Sequence, residues 1–393
     1  MNLNQRTLIC LALAALAPGA AAQVAVGHLG RFDITSNGMI QGDANWYDSD
    51  TVDLTGGPDE RGSAAYAVRR AQVYLKGRSA GRLGWVLGYD AKNGKWLDAN
   101  LQYDFDKRQT LWVGKFKQPS GLERLSASRN NDFMSRSMLS DTFAVGRRIG
   151  IGYRYERSPG ASGSDLGAGS AADGNWGVEV GYFGPAITTR RATSEAGYAV
   201  RGTWAPFDAD GTILHLGLSY ANYATSDDTV HLRARPNADL TPVWLVNTGD
   251  LVDTRRVATL GAESFWADGP FKLQGEYMTT RAARPAADSG DFRGHGGYVS
   301  ALWNGTGQHW GYENGVPITQ VAPRMWQLGV RFDTIDLNDG GVRGGWMRNW
   351  TVGVNLYWNA RWKFVLNHVW ARSKMGDTPD NPGITEARVQ LVW

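Results

Sequence analysis

From Thr351 to Trp358 every second side chain is large and apolar: Val352, Val354, Leu356 and Trp358 alternate with Thr351, Gly353, Asn355 and Tyr357. A period of two sends the two sets to opposite faces of a β-strand. After Asn359-Ala360 the alternation resumes, with Trp362, Phe364, Leu366 and Trp370 set against Lys363 and Asn367. It recurs as Trp85, Leu87 and Tyr89 against Gly88 and Asp90, as Leu214, Leu216, Leu218 and Tyr220 against His215 and Ser219, and as Trp326, Leu328, Val330 and Phe332 against Gln327 and Arg331. Apolar faces of this kind must be covered. They either pack on a second sheet, with the polar face in water, or turn outward to lipid around a water-filled lumen.

The first residues bear on that choice. "MNLNQRTLICLALAALAPGAAAQ" has Arg6, then an apolar run, then small residues at Ala20-Ala21-Ala22, the pattern of a cleaved secretory signal over residues 1–22. Cys10 falls inside it, so the mature chain, residues 23–393, is expected to lack cysteine, which excludes disulfides, thiol catalysis and thiolate metal sites. Beyond the signal no apolar run approaches the roughly 20 residues of a spanning helix. The 17 Trp and 50 Gly suit aromatic girdles and turns. With 41 basic and 38 acidic residues the charge balance gives no reason to expect a nucleic-acid partner.

Sixteen strands of about ten residues or fewer are expected, from 28–38 and 65–76 through 324–334 and 349–358 to 361–372 and 385–393. "YDFDKRQT", "APFDADGT", "WADGP" and "WNAR" read as tight turns, whereas 118–146, 223–255 and 335–348 read as long connections. Short turns at one end and long loops at the other, with an even strand count, predict an all-β fold, a transmembrane antiparallel barrel. Ser158–Asn175, read as flexible, and Gly305–Pro323 are long where a short turn is expected. The closing "ARVQLVW" resembles the terminal strand by which barrel-assembly machinery recognises its substrates, giving a reason for the chain to stop on Trp393.

The segment "VGKFKQPSGLERLSASRNNDFMSRSMLSDTFAVGRR", Val113 to Arg148, leaves a strand for a loop rich in Arg, Lys and Ser. Gly121-Leu122-Glu123-Arg124, Ser126 to Arg129, "AYAVRRAQVYLKG" from Ala65, "VRGTWAPF…GTILHLGLSYA" from Val200 and "HLRARP" from His231 occur in an order that resembles the phosphate-selective porins of the O and P type, over nearly the whole mature chain. The resemblance implies a homotrimeric porin of the Gram-negative outer membrane, embedded in lipid, without cofactor or metal, passing phosphate, polyphosphate or chloride. It implies that 118–146 folds inward as a constriction loop. Arg69, Arg70, Arg233 and Arg235 then correspond to a ladder of arginines, and Arg124, Ser128, Arg129 and Arg136 to the constriction, with Asp98 as the acidic neighbour that orients them. Three departures stand out: Asn237 replaces a further ladder arginine, no lysine lies in Pro317–Pro323, and Asp336 and Gly84 stand where lysines align. These departures predict weak rather than strong phosphate binding.

The chemistry is reasonable without the family. Guanidinium groups stay charged, present planar N–H forks matched to oxyanions and are weakly hydrated, and rings of Arg or Lys select anions. Plainer readings stand beside it. Arg69 shares parity with Val73 and Leu75, which leaves open a lipid-headgroup position, a bulge or the pore. Arg124 to Arg136 would also suit a solvated surface loop, as would Arg233 and Arg235, and Lys272 and Glu276 a mutual lumen pair. The six histidines form no H-E-x-x-H, and there is no G-x-S-x-G or phosphate-binding loop. Two rival classes remain: an outer-membrane barrel hydrolase of phospholipase type, with His215 and a serine, and a plugged structural or adhesin barrel.

Overall fold

Backbone pairing runs in sequence order around a closed ring, each wall strand antiparallel to the next. The computed structural model describes residues 23–56, 63–157, 174–184, 196–209, 211–285 and 290–393; the expected signal segment 1–22 and the connection 158–173 lie outside them. Strand β1 (Val24–Leu29) precedes nine wall strands: β2 (Phe32–Asp48), β3 (Ala64–Ser79), β4 (Leu83–Asp90), β5 (Lys95–Asp104), β6 (Gln109–Lys117), β7 (Arg147–Arg157), β8 (Asn175–Phe183), β9 (Gly197–Ala209) and β10 (Thr212–Ala224). A loop hairpin, β11 (Val230–Ala234) and β12 (Val246–Leu251), separates these from β13 (Arg256–Asp268), β14 (Phe271–Ala283) and β15 (Phe292–Asn304). A second hairpin, β16 (Trp310–Glu313) and β17 (Val316–Thr319), leads to β18 (Met325–Asp339), β19 (Val342–Tyr357) and β20 (Trp362–Met375), then the short β21 (Thr378–Asp380) and the last wall strand β22 (Gly383–Val392). Sixteen strands form the wall, and β2 pairs with β22 to close it, Met39 opposite Val392.

Closure explains the terminal tryptophan structurally. Gly38 N donates to Trp393 O at 2.9 Å and Trp393 N to Gly38 O at 3.2 Å. A Cβ on Gly38 would overlap the Trp393 indole, so glycine is required there. Below that point β22 has ended, and β1 takes its place beside β2, with Leu29 opposite Phe32.

The alternation sets inside and outside as the sequence predicts. Val352, Val354, Leu356 and Trp358 are exposed on the outer surface, as are Phe364, Leu366 and Trp370, while Thr351, Asn355, Lys363 and Asn367 are buried inside. Trp350 on β19 and Trp358 just past its end, with Trp362 and Trp370 on β20, bracket the apolar band. Eight residues at about 3.3 Å each, tilted, match the height expected between two aromatic girdles. No helix is long and apolar enough to cross a membrane among the described residues; the strands do so.

Two expectations need correction. Several wall strands exceed ten residues, β2 reaching 17 and both β3 and β19 reaching 16, so that the first strand runs to Asp48 rather than ending at 38. Residues 335–348 are not a long loop: β18 and β19 continue through them to a turn at 340–341. The cause is a reversal of polarity along the same strands. Above Trp350 the inner residues Ile335, Leu337 and Met347 are the apolar ones, packed against inward-folded loops, while Arg348 and Asn338 face out. A search for apolar outer faces ends where the membrane ends.

Val354 lies midway between the two girdles, whereas Val86 on β4 lines an internal cavity. The same substitution therefore has opposite consequences. Val354→Arg should destabilise the barrel by about 2 to 4 kcal/mol in lipid, and Val86→Arg by less than about 1 kcal/mol. Urea unfolding in lipid vesicles checks this; equal losses would reject the assignment of faces.

Candidate functional site

The loop 118–146 enters the barrel because the inner faces of β14 to β22 carry hydrogen-bonding partners for it at many levels. Glu276 accepts from Leu122 N and Glu123 N, both at 2.8 Å, and Asp333 from Met138 N at 2.8 Å. Lys272 pairs with Asp132 at 2.6 Å, Lys363 Nζ donates to Asn131 O at 2.8 Å, and Arg388 Nη1 donates to Met134 O at 2.9 Å. Lys272 and Glu276 thus hold the loop and are not each other's partner. Asn355 also serves the loop, donating to Asp132 O at 2.9 Å. Short helical turns at Leu122–Leu125 and Met138–Thr142 seat Leu122, Met138 and Leu139 in apolar contacts.

From the opposite end the β16–β17 hairpin folds back into the lumen, which is why Gly305–Pro323 is long. Trp310 is buried with Leu122, Phe133 and Phe265, and Lys272 Nζ lies 4.2 Å from its ring. Arg201 donates to Gly315 O at 2.7 Å, and the Tyr312 hydroxyl lies 2.6 Å from His215 Nδ1. His215 points inward to Tyr312 and, at 3.0 Å, Glu263. It is enclosed in the lumen, not at a lipid interface beside a serine.

With that side filled, the free space lies toward β3 to β7, as three adjoining cavities of about 380, 200 and 450 Å³. The first is a vestibule under the long loops, lined by Arg233, Arg235 and Trp244 with Arg69, Arg124 and Arg136. The middle and smallest shares Arg69, Arg124 and Arg136 with it and adds Arg70, Lys117 and Arg147. The third shares Lys117, Ser128 and Arg147 with the second, adds Arg129, Lys76 and Arg154, and ends against Glu313 and Asn314 of the turn-side hairpin. Together the walls carry twelve Lys and Arg against six Asp and Glu, although the whole chain has 41 against 38. The fold concentrates positive charge that composition conceals.

Arg69 reaches the lumen through a β-bulge. Gln41 pairs with Arg70 and Gly42 with Val68, leaving Arg69 as the extra residue. A bulge breaks the two-residue period, so neighbouring arginines turn to one side. Arg69 then meets Asp239 at 2.9 Å, and Arg70 Nη1 donates to Gln41 Oε1 at 2.7 Å. Burial raises the pKa of the Asp239 carboxyl, but Arg69 and Arg70 outweigh it and hold the carboxyl below its ordinary value. Arg124 pairs with Asp141 at 3.0 Å, and a Cβ on Gly146 would come 2.8 Å from its guanidinium. Arg136 donates to Ser128 Oγ at 3.1 Å and to Glu123 O at 3.2 Å, so it also stitches the loop. Arg129 has no ion pair among the described residues.

Asp98 does not orient Arg124, Arg129 or Arg136. Its two oxygens accept from Arg147 Nε and Nη2, each at 2.9 Å. Lys117 and Arg147 lie in the basic segment Val113 to Arg148 but outside the ladder and constriction sets, and Lys76 and Arg154 are absent from the candidates drawn from sequence. Lys76 could have been found there, being in register with Arg70, Gln72 and Tyr74 on the inner face of β3. The hairpin bearing Arg233 and Arg235 is no free surface loop: Leu232, Ala234, Val246 and Leu251 pack down on Ile335, Leu337 and Met347. Asn237, standing where the ladder would continue, sits at φ 53° and donates to Arg136 O at 3.0 Å and Asp333 at 2.9 Å.

A family model described as phosphate-selective porin O and P matches residues 39–393. Porin O of Pseudomonas aeruginosa is 22% identical over 348 residues, covering 79% of this chain and 74% of that protein. Among solved structures, the outer-membrane channel DcaP of Acinetobacter baumannii superposes with a TM-score of 0.58 at 9% identity, over 94% of this chain and all of that one. An anion-selective porin from Comamonas acidovorans gives 0.55 at 11% identity, over 92% and 100%. At such identities the structures speak for the barrel alone, and the sequence match decides the family. It spans every wall strand but the start of β2, so the chain belongs to the phosphate-selective porin O and P family and is a porin of the Gram-negative outer membrane, with a basic lumen that fits it.

Proposed function

We propose that the three basic cavities form one path for passive diffusion of phosphate and related small anions, including polyphosphate and chloride. The observation that carries this reading is the excess of twelve cationic over six acidic side chains along a path in a chain of near-balanced charge. An anion enters between Arg233 and Arg235, passes the narrow level of Arg69, Arg70, Arg124 and Arg136, and leaves past Arg129, Lys76 and Arg154. Arg124, Ser128, Arg129 and Arg136 belong to the constriction. Successive sites of moderate strength suit conduction, because an ion held too tightly does not leave.

Affinity at each level should be modest. Arg69, Arg124 and Arg147 already face Asp239, Asp141 and Asp98, and an incoming phosphate competes with those carboxylates for N–H donors. Residues 1–22 act as the export signal, the strand ending on Trp393 is read by barrel-assembly machinery, and the barrel works as a homotrimer in outer-membrane lipid. Transport requires no cofactor, and the protein acts as a channel rather than an enzyme. Planar-bilayer conductance together with unchanged bilayer lipid separates this from a phospholipase or a plugged barrel.

In a potassium chloride gradient the reversal potential should report anion preference, and replacing Arg124 and Arg129 together by Glu should shift it toward cations. A wild-type channel that prefers cations would overturn the proposed function.

Phosphate should block the chloride current at millimolar rather than micromolar concentration, a difference of about 4 kcal/mol. Arg129→Ala should weaken the block several-fold, since that guanidinium lines the path without an ion pair among the described residues. Micromolar block would mean that Lys76, Lys117 and Arg154 converge more strongly than the paired arginines suggest.

A further inference from the structure

Arg233 and Arg235 are two residues apart on one edge of the inward-folded hairpin, so their side chains leave on the same face. Two cations so placed repel, yet both guanidinium groups lie over a single indole. Arg233 Cζ is 4.2 Å and Arg235 Cζ 3.8 Å from the centroid of Trp244. The backbone that carries the ring is anchored just after it, because Leu245 N donates to Ala234 O at 3.2 Å and Val246, the following residue, is buried opposite Ala234. Among the described residues neither guanidinium has a carboxylate within ion-pair distance, and Arg235 Nε is buried without a hydrogen-bond partner.

Deeper in the path the arrangement is different. Arg69, Arg124 and Arg147 are held by Asp239, Asp141 and Asp98. A carboxylate fixes an arginine by occupying its N–H donors and cancelling its charge. An aromatic face fixes it through the ring quadrupole, leaving the charge whole and the in-plane N–H groups free. We propose that Trp244 is a positioning residue that presents Arg233 and Arg235 as an unneutralised pair of N–H forks, a capture point for oxyanions at the long-loop mouth. This rests on the anion-path reading, and it assigns the two mouths different roles: among the described residues the turn-side mouth, with Glu313 at its rim, has no two guanidinium groups over one ring. Trp244 speeds entry from one side rather than setting the affinity of the constriction.

The test is the full-length porin in planar bilayers at about 0.1 M potassium chloride, where screening leaves the field of the mouth intact over about 10 Å, with phosphate added to one side at a time. The on-rate of block from the turn side is the internal reference. Trp244→Ala should lower the ratio of long-loop-side to turn-side on-rates by about ten-fold, within the range of electrostatic steering, and Trp244→Phe should restore it to within about two-fold. Heat-modifiable migration on gels confirms that each variant is a folded barrel. An unchanged ratio in Trp244→Ala, or an equal fall in Trp244→Phe, would overturn the role of the ring. A wild-type channel that phosphate does not block would instead overturn the anion reading itself, so the two failures are distinguishable.

Discussion

In a bilayer every backbone N–H and C=O must find its partner within the protein, and a sheet achieves this only by having no edge. The pairing of β2 with β22, completed by the reciprocal bonds between Gly38 and Trp393, is therefore the contact on which the rest depends. It fixes the number of strands and hence the bore. It also fixes which inner residues face one another across the lumen. Lys363 on β20 and Arg388 on β22 can grip the inserted loop only because the ring brings them round to it.

The lumen is asymmetric as a consequence. Carboxylates and lysines on β14 to β20 and Arg388 on β22 bind the loop's backbone and Asp132, and apolar contacts from Leu122, Phe133 and Trp310 consolidate that half. What is left is a passage against β3 to β7 whose cations are secured in three ways: by carboxylates at Arg69, Arg124 and Arg147, by carbonyl and hydroxyl oxygens at Arg136, and by an indole at Arg233 and Arg235. Each way leaves a different residue of charge and free donors, so a file of like residues need not be a file of like sites. On the proposed anion path, the acidic partners temper the field of the twelve cations.

The barrel was largely legible because lipid imposes one rule on every wall strand, and residues such as Val352 to Trp358 obey it without reference to any neighbour. Legibility failed where the rule lapsed. Ile335, Leu337 and Met347 lie above the membrane with their apolar side turned in, so the sequence pattern marks the membrane parts of β18 and β19 but not their extensions through 335–348. Asn355 has the parity of a water-facing residue, yet it is 3% exposed and bonded to the loop.

The sequence by itself determined the strand periodicity, the inside and outside of the membrane band, the family, and the set of arginines in the inserted loop, since these depend on local order or on motifs in series. The tertiary structure alone decided how those cations are used. Arg69 faces the path because a one-residue bulge opposite Gln41 and Gly42 reverses its parity. Asp98 finds Arg147 rather than the loop arginines, and Asn237 became a brace for Arg136 instead of a rung. Each of these contacts joins residues 29 to 170 positions apart or turns on a single register shift, and no local pattern records which distant side chain a closed ring will bring within 3 Å.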